Sequence, residues 1–70
     1  MTDMVELTEL GKQKALEIKG RGPRYEALTA LYENGRMTLE DLEGELELDP
    51  DKVALVIRSL EKKGYVRGLS

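Results

Sequence analysis

The chain has no histidine and no cysteine among its 70 residues, which removes most of the chemistry open to a small protein. Imidazole acid–base catalysis, thiol nucleophiles, disulfides and every Cys/His zinc pattern are excluded. Paired carboxylates remain at Glu40/Asp41 and Glu45/Glu47. On a short open helix they lack the concave pocket that acid–base work requires. Asp49 and Asp51 do not continue as a calcium loop, since no glycine or closing glutamate sits at the required positions. Gly20 and Gly22 lack the G-x-x-x-x-G-K-S/T context of a phosphate loop. The residue types therefore argue against an enzyme and imply no cofactor and no metal.

What is left is charge. Eleven Lys and Arg stand against 14 Asp and Glu, a net of −3, whereas nucleic-acid binders usually carry a basic excess. The distribution matters more than the sum. Seven acids (Glu40, Asp41, Glu43, Glu45, Glu47, Asp49 and Asp51) fall in one segment without a base. The remainder has 11 bases against seven acids, a net of +4. The segment from Lys12 to Arg24 carries Lys12, Lys14, Lys19, Arg21 and Arg24 against only Glu17.

The elements that position these charges follow from periodicity and punctuation. Seventy residues suit one domain, predicted to span 1–70, with a strand and helix over 4–22 and a helical core with a closing strand over 23–69. Val5 and Leu7 share one face of a short strand from Met4 to Leu7. Thr8 caps a helix from Glu9 to about Lys19, on which Leu10, Ala15, Leu16 and Ile18 make no clean stripe and Gly11 is a weak point. Gly20-Arg21-Gly22-Pro23 is a break, with Pro23 suited to open the next helix, to Asn34. Tyr25, Leu28, Leu31 and Tyr32 form its expected apolar face. Arg36-Met37 is an extended link. Thr38 and Asp41 form a capping-box variant ahead of a helix to about Leu46, with Leu39, Leu42 and Leu46 inward. Asp49-Pro50 opens a helix to about Lys63, with Val53, Val56, Ile57 and Leu60 inward. Gly64 ends it, and Tyr65 to Leu69 reads as a strand. No apolar run approaches a membrane span, and the acidic start is unlike a leader, so a cytoplasmic location is expected.

The order helix, link, short helix, tight turn, longer helix, glycine, strand resembles the helix-turn-helix half of a winged-helix domain. The phrase Val53 to Val66, with Ile57-Arg58-Ser59-Leu60-Glu61-Lys62-Lys63-Gly64-Tyr65, is similar to the recognition-helix exit of MarR- and ArsR-type regulators. Leu7-Thr8-Glu9-Leu10-Gly11 resembles the L-T-x-x-G that follows the wing in MarR-type proteins, although here it comes first. A permuted wing is the expectation. The Met4–Leu7 strand pairs antiparallel with Tyr65–Leu69, and the Arg36-Met37 link is a further candidate partner. A lone closing strand would otherwise leave backbone groups unpaired. The fold class is thus mostly α with a small antiparallel sheet whose wing strands are the two chain ends.

That resemblance implies a small DNA-binding transcription regulator. The helix over 50–63 would enter the major groove, with Lys52, Leu55, Arg58, Ser59 and Lys62 outward and Arg67 on the wing. Lys12, Lys14, Arg21 and Arg24 are candidates for backbone contacts. The implied partner is double-stranded DNA, bound by a homodimer, because one recognition helix reads few base pairs. The alternative is a protein-interaction module that offers its acidic 40–51 segment to a basic protein partner. Convergence of Arg58, Lys62, Arg67 and Lys12 on one face favours DNA; an acidic helix bordering the recognition helix on that face favours the adaptor.

Overall fold

A computed structural model describes residues 4–17 and 20–69 of the chain. The expectations for Ile18 and Lys19 lie outside the described residues. The elements are β1 (Met4–Leu7), α1 (Glu9–Glu17), α2 (Pro23–Asn34), β2 (Arg36–Thr38), α3 (Leu39–Leu46), α4 (Pro50–Lys62) and β3 (Val66–Leu69). The Arg36-Met37 link is thus a true strand, one residue longer than expected. Strand β3 starts one residue later than expected, at Val66.

The three strands form an antiparallel sheet in the order β2-β1-β3. Strand β1 is central. Met4, Val5 and Glu6 face Thr38, Met37 and Arg36 on one side. On the other, Met4 to Leu7 face Leu69 to Val66. This is the winged-helix arrangement with its wing made from opposite ends of the described chain. The two-residue period puts Val5 and Leu7 into the core, where Met37 and Val66 join them. The helices complete that core with Leu28, Leu31, Leu42, Val53 and Leu60, all essentially sealed from solvent. No polar or charged side chain among the described residues is buried.

Local chemistry sets each helix start. Thr38 accepts a hydrogen bond from the Asp41 amide at 2.9 Å, and the Asp41 carboxylate accepts from the Thr38 amide at 3.2 Å, which closes the capping box. Asp49 accepts from the Lys52 amide at 3.0 Å ahead of Pro50. Helix α3 ends at Glu47 in the left-handed conformation (φ 54°), a position usually taken by Gly or Asn.

Helix α2 departs from the expected face. Its buried stripe runs through Ala27, Leu28, Ala30 and Leu31, whereas Tyr25 and Tyr32 are 38% and 47% exposed. The two alanines have small side chains, so neighbours close onto the helix there, and the tyrosines flank the seam. Helix α1 behaves differently again. Its only fully buried residue is Gly11; Leu10 and Leu16 are exposed, and Ala15 packs at the core's edge.

Gly11 is the reason α1 sits where it does. A Cβ on Gly11 would lie 1.9 Å from the Tyr65 carbonyl oxygen, so only glycine lets the helix close on that turn. Thr8 clamps the same place. Its hydroxyl donates to the Gly64 carbonyl and accepts from the Gly11 amide at 3.0 Å, while its own amide donates to the Tyr65 carbonyl at 3.0 Å. The T-x-x-G spacing thus has a physical role: it fastens α1 to the turn between α4 and β3. Gly11→Ala is expected to destabilise the fold by on the order of 3 kcal/mol through overpacking against backbone. Gly44→Ala, on α3 with open space around it, is expected to stabilise by roughly 0.5–1 kcal/mol. Denaturant unfolding of both variants checks the pair.

Candidate nucleic-acid interface

Helix α4 divides cleanly. Val53, Ile57 and Leu60 are buried, while Asp51, Lys52, Leu55, Arg58 and Lys62 are exposed and Ser59 is half-buried. Leu55 is 64% exposed, an apolar side chain on the outer face as the sequence indicated. Val56, expected inward, is only half-buried at the edge of the core. Between α4 and the wing lies a cleft of about 280 Å³. Its walls include Ala54, Arg58 and Glu61 from α4 and Met4, Gly68 and Leu69 from the wing. Arg58 therefore stands beside the paired strand ends of the wing.

Arg67 lies elsewhere on the wing and is not free. Glu6 on the central strand faces Arg36 on β2 and Arg67 on β3 in the sheet register. Its carboxylate bridges both: Arg36 Nε lies at 3.4 Å, and the Arg67 guanidinium makes a close ion pair and a hydrogen bond. The Glu6 side chain is 16% exposed, the two arginines much more so. The three-residue bridge spans the whole sheet and carries a net charge of +1. Lys12 lies with it around a groove that also includes Tyr32.

The predicted basic residues do not gather in one groove: Lys52 and Lys62 lie exposed on α4 and line none of these grooves, and the others divide among three. Arg58 is at the α4–wing cleft. Lys12 and Arg67 share the sheet-side groove with Arg36. Lys14, Arg21 and Arg24 line a separate cavity with Lys63. Sequence reasoning missed Arg36 and Glu6 as members of the sheet-side cluster and Lys63 as a member of the cavity. The register of β1 identifies the first two. Nothing short of the fold brings Lys63 to Lys14.

The seven acids of the 40–51 segment also separate. Asp41 and Asp49 are spent as helix caps. Glu45 and Glu47 line a groove against α2, together with Glu26 and Glu33. Glu40 and Asp41 flank Arg36 and Met37. Only Asp51, with the cap Asp49, stands at the start of α4 itself. Glu43 is half-buried on α3, and Glu61 of α4 lines the cleft beside Arg58.

No helix is long and apolar enough to cross a membrane, and no group of three or more acidic residues is placed to hold a metal ion, among the described residues. A capped α3, a tight turn, an outward α4 and a two-stranded wing define a winged helix-turn-helix protein of the DNA-binding regulator class. The chain belongs to the MarR family, whose model matches residues 22–68, from the start of α2 into β3. Strand β1 and helix α1 lie before the match. No curated protein and no solved structure matches the chain.

Replacing Glu6 isolates the sheet bridge. Glu6→Gln leaves Arg36 and Arg67 with no counter-charge between them, and the expected loss is about 0.5–1 kcal/mol, shrinking in 1 M salt as exposed charges are screened. Thermal unfolding at two salt concentrations checks it.

Proposed function

We propose that the chain is a DNA-binding transcription regulator that reads the major groove with α4. Lys52, Leu55, Arg58, Ser59 and Lys62 form the reading face. Arg58 takes a guanine edge through its two-pronged guanidinium, Leu55 meets a thymine methyl, and Lys52 and Lys62 meet phosphates. The observation that carries this reading is the cleft that sets Arg58 beside Gly68 and Leu69 of the wing. A helix in the groove would then have the wing beside the flanking backbone. Arg67 and Arg36 follow as backbone contacts, with their charge reduced by Glu6.

A homodimer suits this function, since two half-sites supply the specificity one helix lacks. Leu16, 67% exposed on α1, is an apolar side chain available for such contact. The MarR family commonly dimerises, which supports the same reading.

A second reading draws on the groove between α2 and α3. Glu26, Glu33, Glu45 and Glu47 line it without a base. A protein partner with Lys and Arg on one helix face would complement it. The groove faces α2, so it need not compete with DNA at α4.

Fluorescence anisotropy with a mixed-sequence duplex tests the DNA reading. Affinity is expected to fall with salt at a log–log slope of about −0.9 per phosphate contact. Lys62→Ala is expected to weaken binding to this duplex and to reduce the salt slope by about 0.9, whereas Arg58→Ala is expected to relax sequence preference in a selection from a duplex library. Glu6→Gln is expected to tighten binding while lowering the melting temperature, because it adds a positive charge and removes a sheet bridge. Absence of binding at roughly 50 mM salt, where phosphate contacts are strongest, would overturn the DNA reading.

A further inference from the structure

A cavity of about 420 Å³ opens between α1, the segment that joins it to α2, the first turn of α2 and the end of α4. Four cations line it: Lys14, Arg21, Arg24 and Lys63. They come from four separate segments, and no acid is among the described residues that line the cavity. None of the four belongs to an ion pair among the described residues, whereas Arg36 and Arg67 are both held by Glu6. An anion in their midst meets four positive charges.

The walls add two further terms. Leu28 and Leu60, both sealed in the core, form an apolar floor. Tyr25 and Tyr65 stand at the sides, and the Lys14 ammonium lies 6.0 Å from the Tyr65 ring centroid. The helix start is also open. Gly22 gives α2 no side-chain cap and Pro23 has no N–H, so the amides of Arg24 and Tyr25 lack intrahelical acceptors. They add donors to a site whose charge comes from side chains. The connecting segment is shaped to keep Arg21 there. Gly22 has φ +116°, and a Cβ on Gly20 would lie 2.5 Å from the Tyr25 ring, so that glycine lies flat against it.

We propose that this cavity binds a small phosphate monoester, with the dianionic phosphate among the four cations and an apolar or ring-bearing body on the Leu28–Leu60 floor. Four cations without a carboxylate match a doubly charged group better than a singly charged one. The volume falls within the range of small-molecule sites and exceeds what a bare phosphate fills. The cavity meets α4 at Leu60 and at Lys63 just past its end, and none of Lys52, Leu55, Arg58, Ser59 and Lys62 lines it.

Titrating the 70-residue chain with phenyl phosphate, and separately with benzoate, at constant ionic strength tests the proposal by amide NMR. Saturable shifts at the Arg24 and Tyr25 amides with phenyl phosphate are expected, with benzoate much weaker. The double variant Arg24→Gln/Lys63→Gln is expected to bind about tenfold more weakly or worse, a loss that charge-assisted contacts account for. Its melting temperature is expected to be unchanged or higher, since only repulsion is removed, so loss of binding is not loss of fold. Absence of saturable shifts, equal binding of benzoate, or undiminished binding by the variant would each overturn the proposal. So would displacement of phenyl phosphate from these amides by duplex DNA, which would make the cations backbone contacts. Binding of phenyl phosphate with no DNA binding at any salt would support the cavity and fail the regulator reading.

Discussion

The fold depends on one strand being in the middle of its sheet. Strand β1 pairs with β2 on one side and β3 on the other, and neither of those strands has another partner. Remove β1 and the sheet becomes two isolated strands, with Met37 and Val66 left uncovered in the core. An edge strand can fray and leave a sheet behind; a central one cannot. Because β1 is the earliest strand in the chain, its position also forces long-range closure. The Thr8–Gly11 clamp on the Gly64–Tyr65 turn supplies that closure next to β1, and Glu6 ties it across the sheet through Arg36 and Arg67.

The charges follow the same plan. A net of −3 hides an ordered separation. Two acids are consumed as caps, four more line the groove between α2 and α3, and one bridges the sheet. The cations are left on the outer face of α4, beside the wing and around the α1–α2 cavity. Surface potential is set by where side chains are fixed, not by their sum, and screening limits each cluster to its own neighbourhood of roughly 8–10 Å. Exposed cations on α4 and an acidic α3 therefore coexist in a domain of this size.

Much of this was legible in the sequence. The capping residues Thr38, Asp41 and Asp49, the Pro50 start and the 3.6-residue spacing of Val53, Ile57 and Leu60 marked the two helices of the helix-turn-helix. Those signals are local, so one sequence carries them. The pairing of β1 with β3 was also legible, because an unpaired closing strand is physically costly. The role of Gly11 was not. Local propensity marks it only as a weak point in a helix, and its reason is a carbonyl 54 residues away at Tyr65. The tyrosines of α2 misled for a related cause. Their spacing fits an inward face, but Ala27 and Ala30 decide how close the neighbours come. Arg67 reads as a free wing cation until the register brings Glu6 opposite it, and the four-cation cavity depends wholly on tertiary placement.

A wing built from opposite ends of the chain changes how it relates to the rest of the domain. In a continuous hairpin the two strands are joined by a few residues, and the wing forms and moves as a local unit. Here the pair Leu7–Val66 closes a loop of nearly the whole chain. Loop-closure entropy grows by about 0.6 kcal/mol per doubling of length, so the change from a short hairpin costs about 2 kcal/mol more. That cost is met only if β1 arrives together with contacts that reward it, namely Val5 and Leu7 in the core and the Thr8 clamp. The wing is therefore not an appendage. It forms when the core forms, and the strand that lines the α4 cleft continues through Thr8 into the helix that carries Lys14.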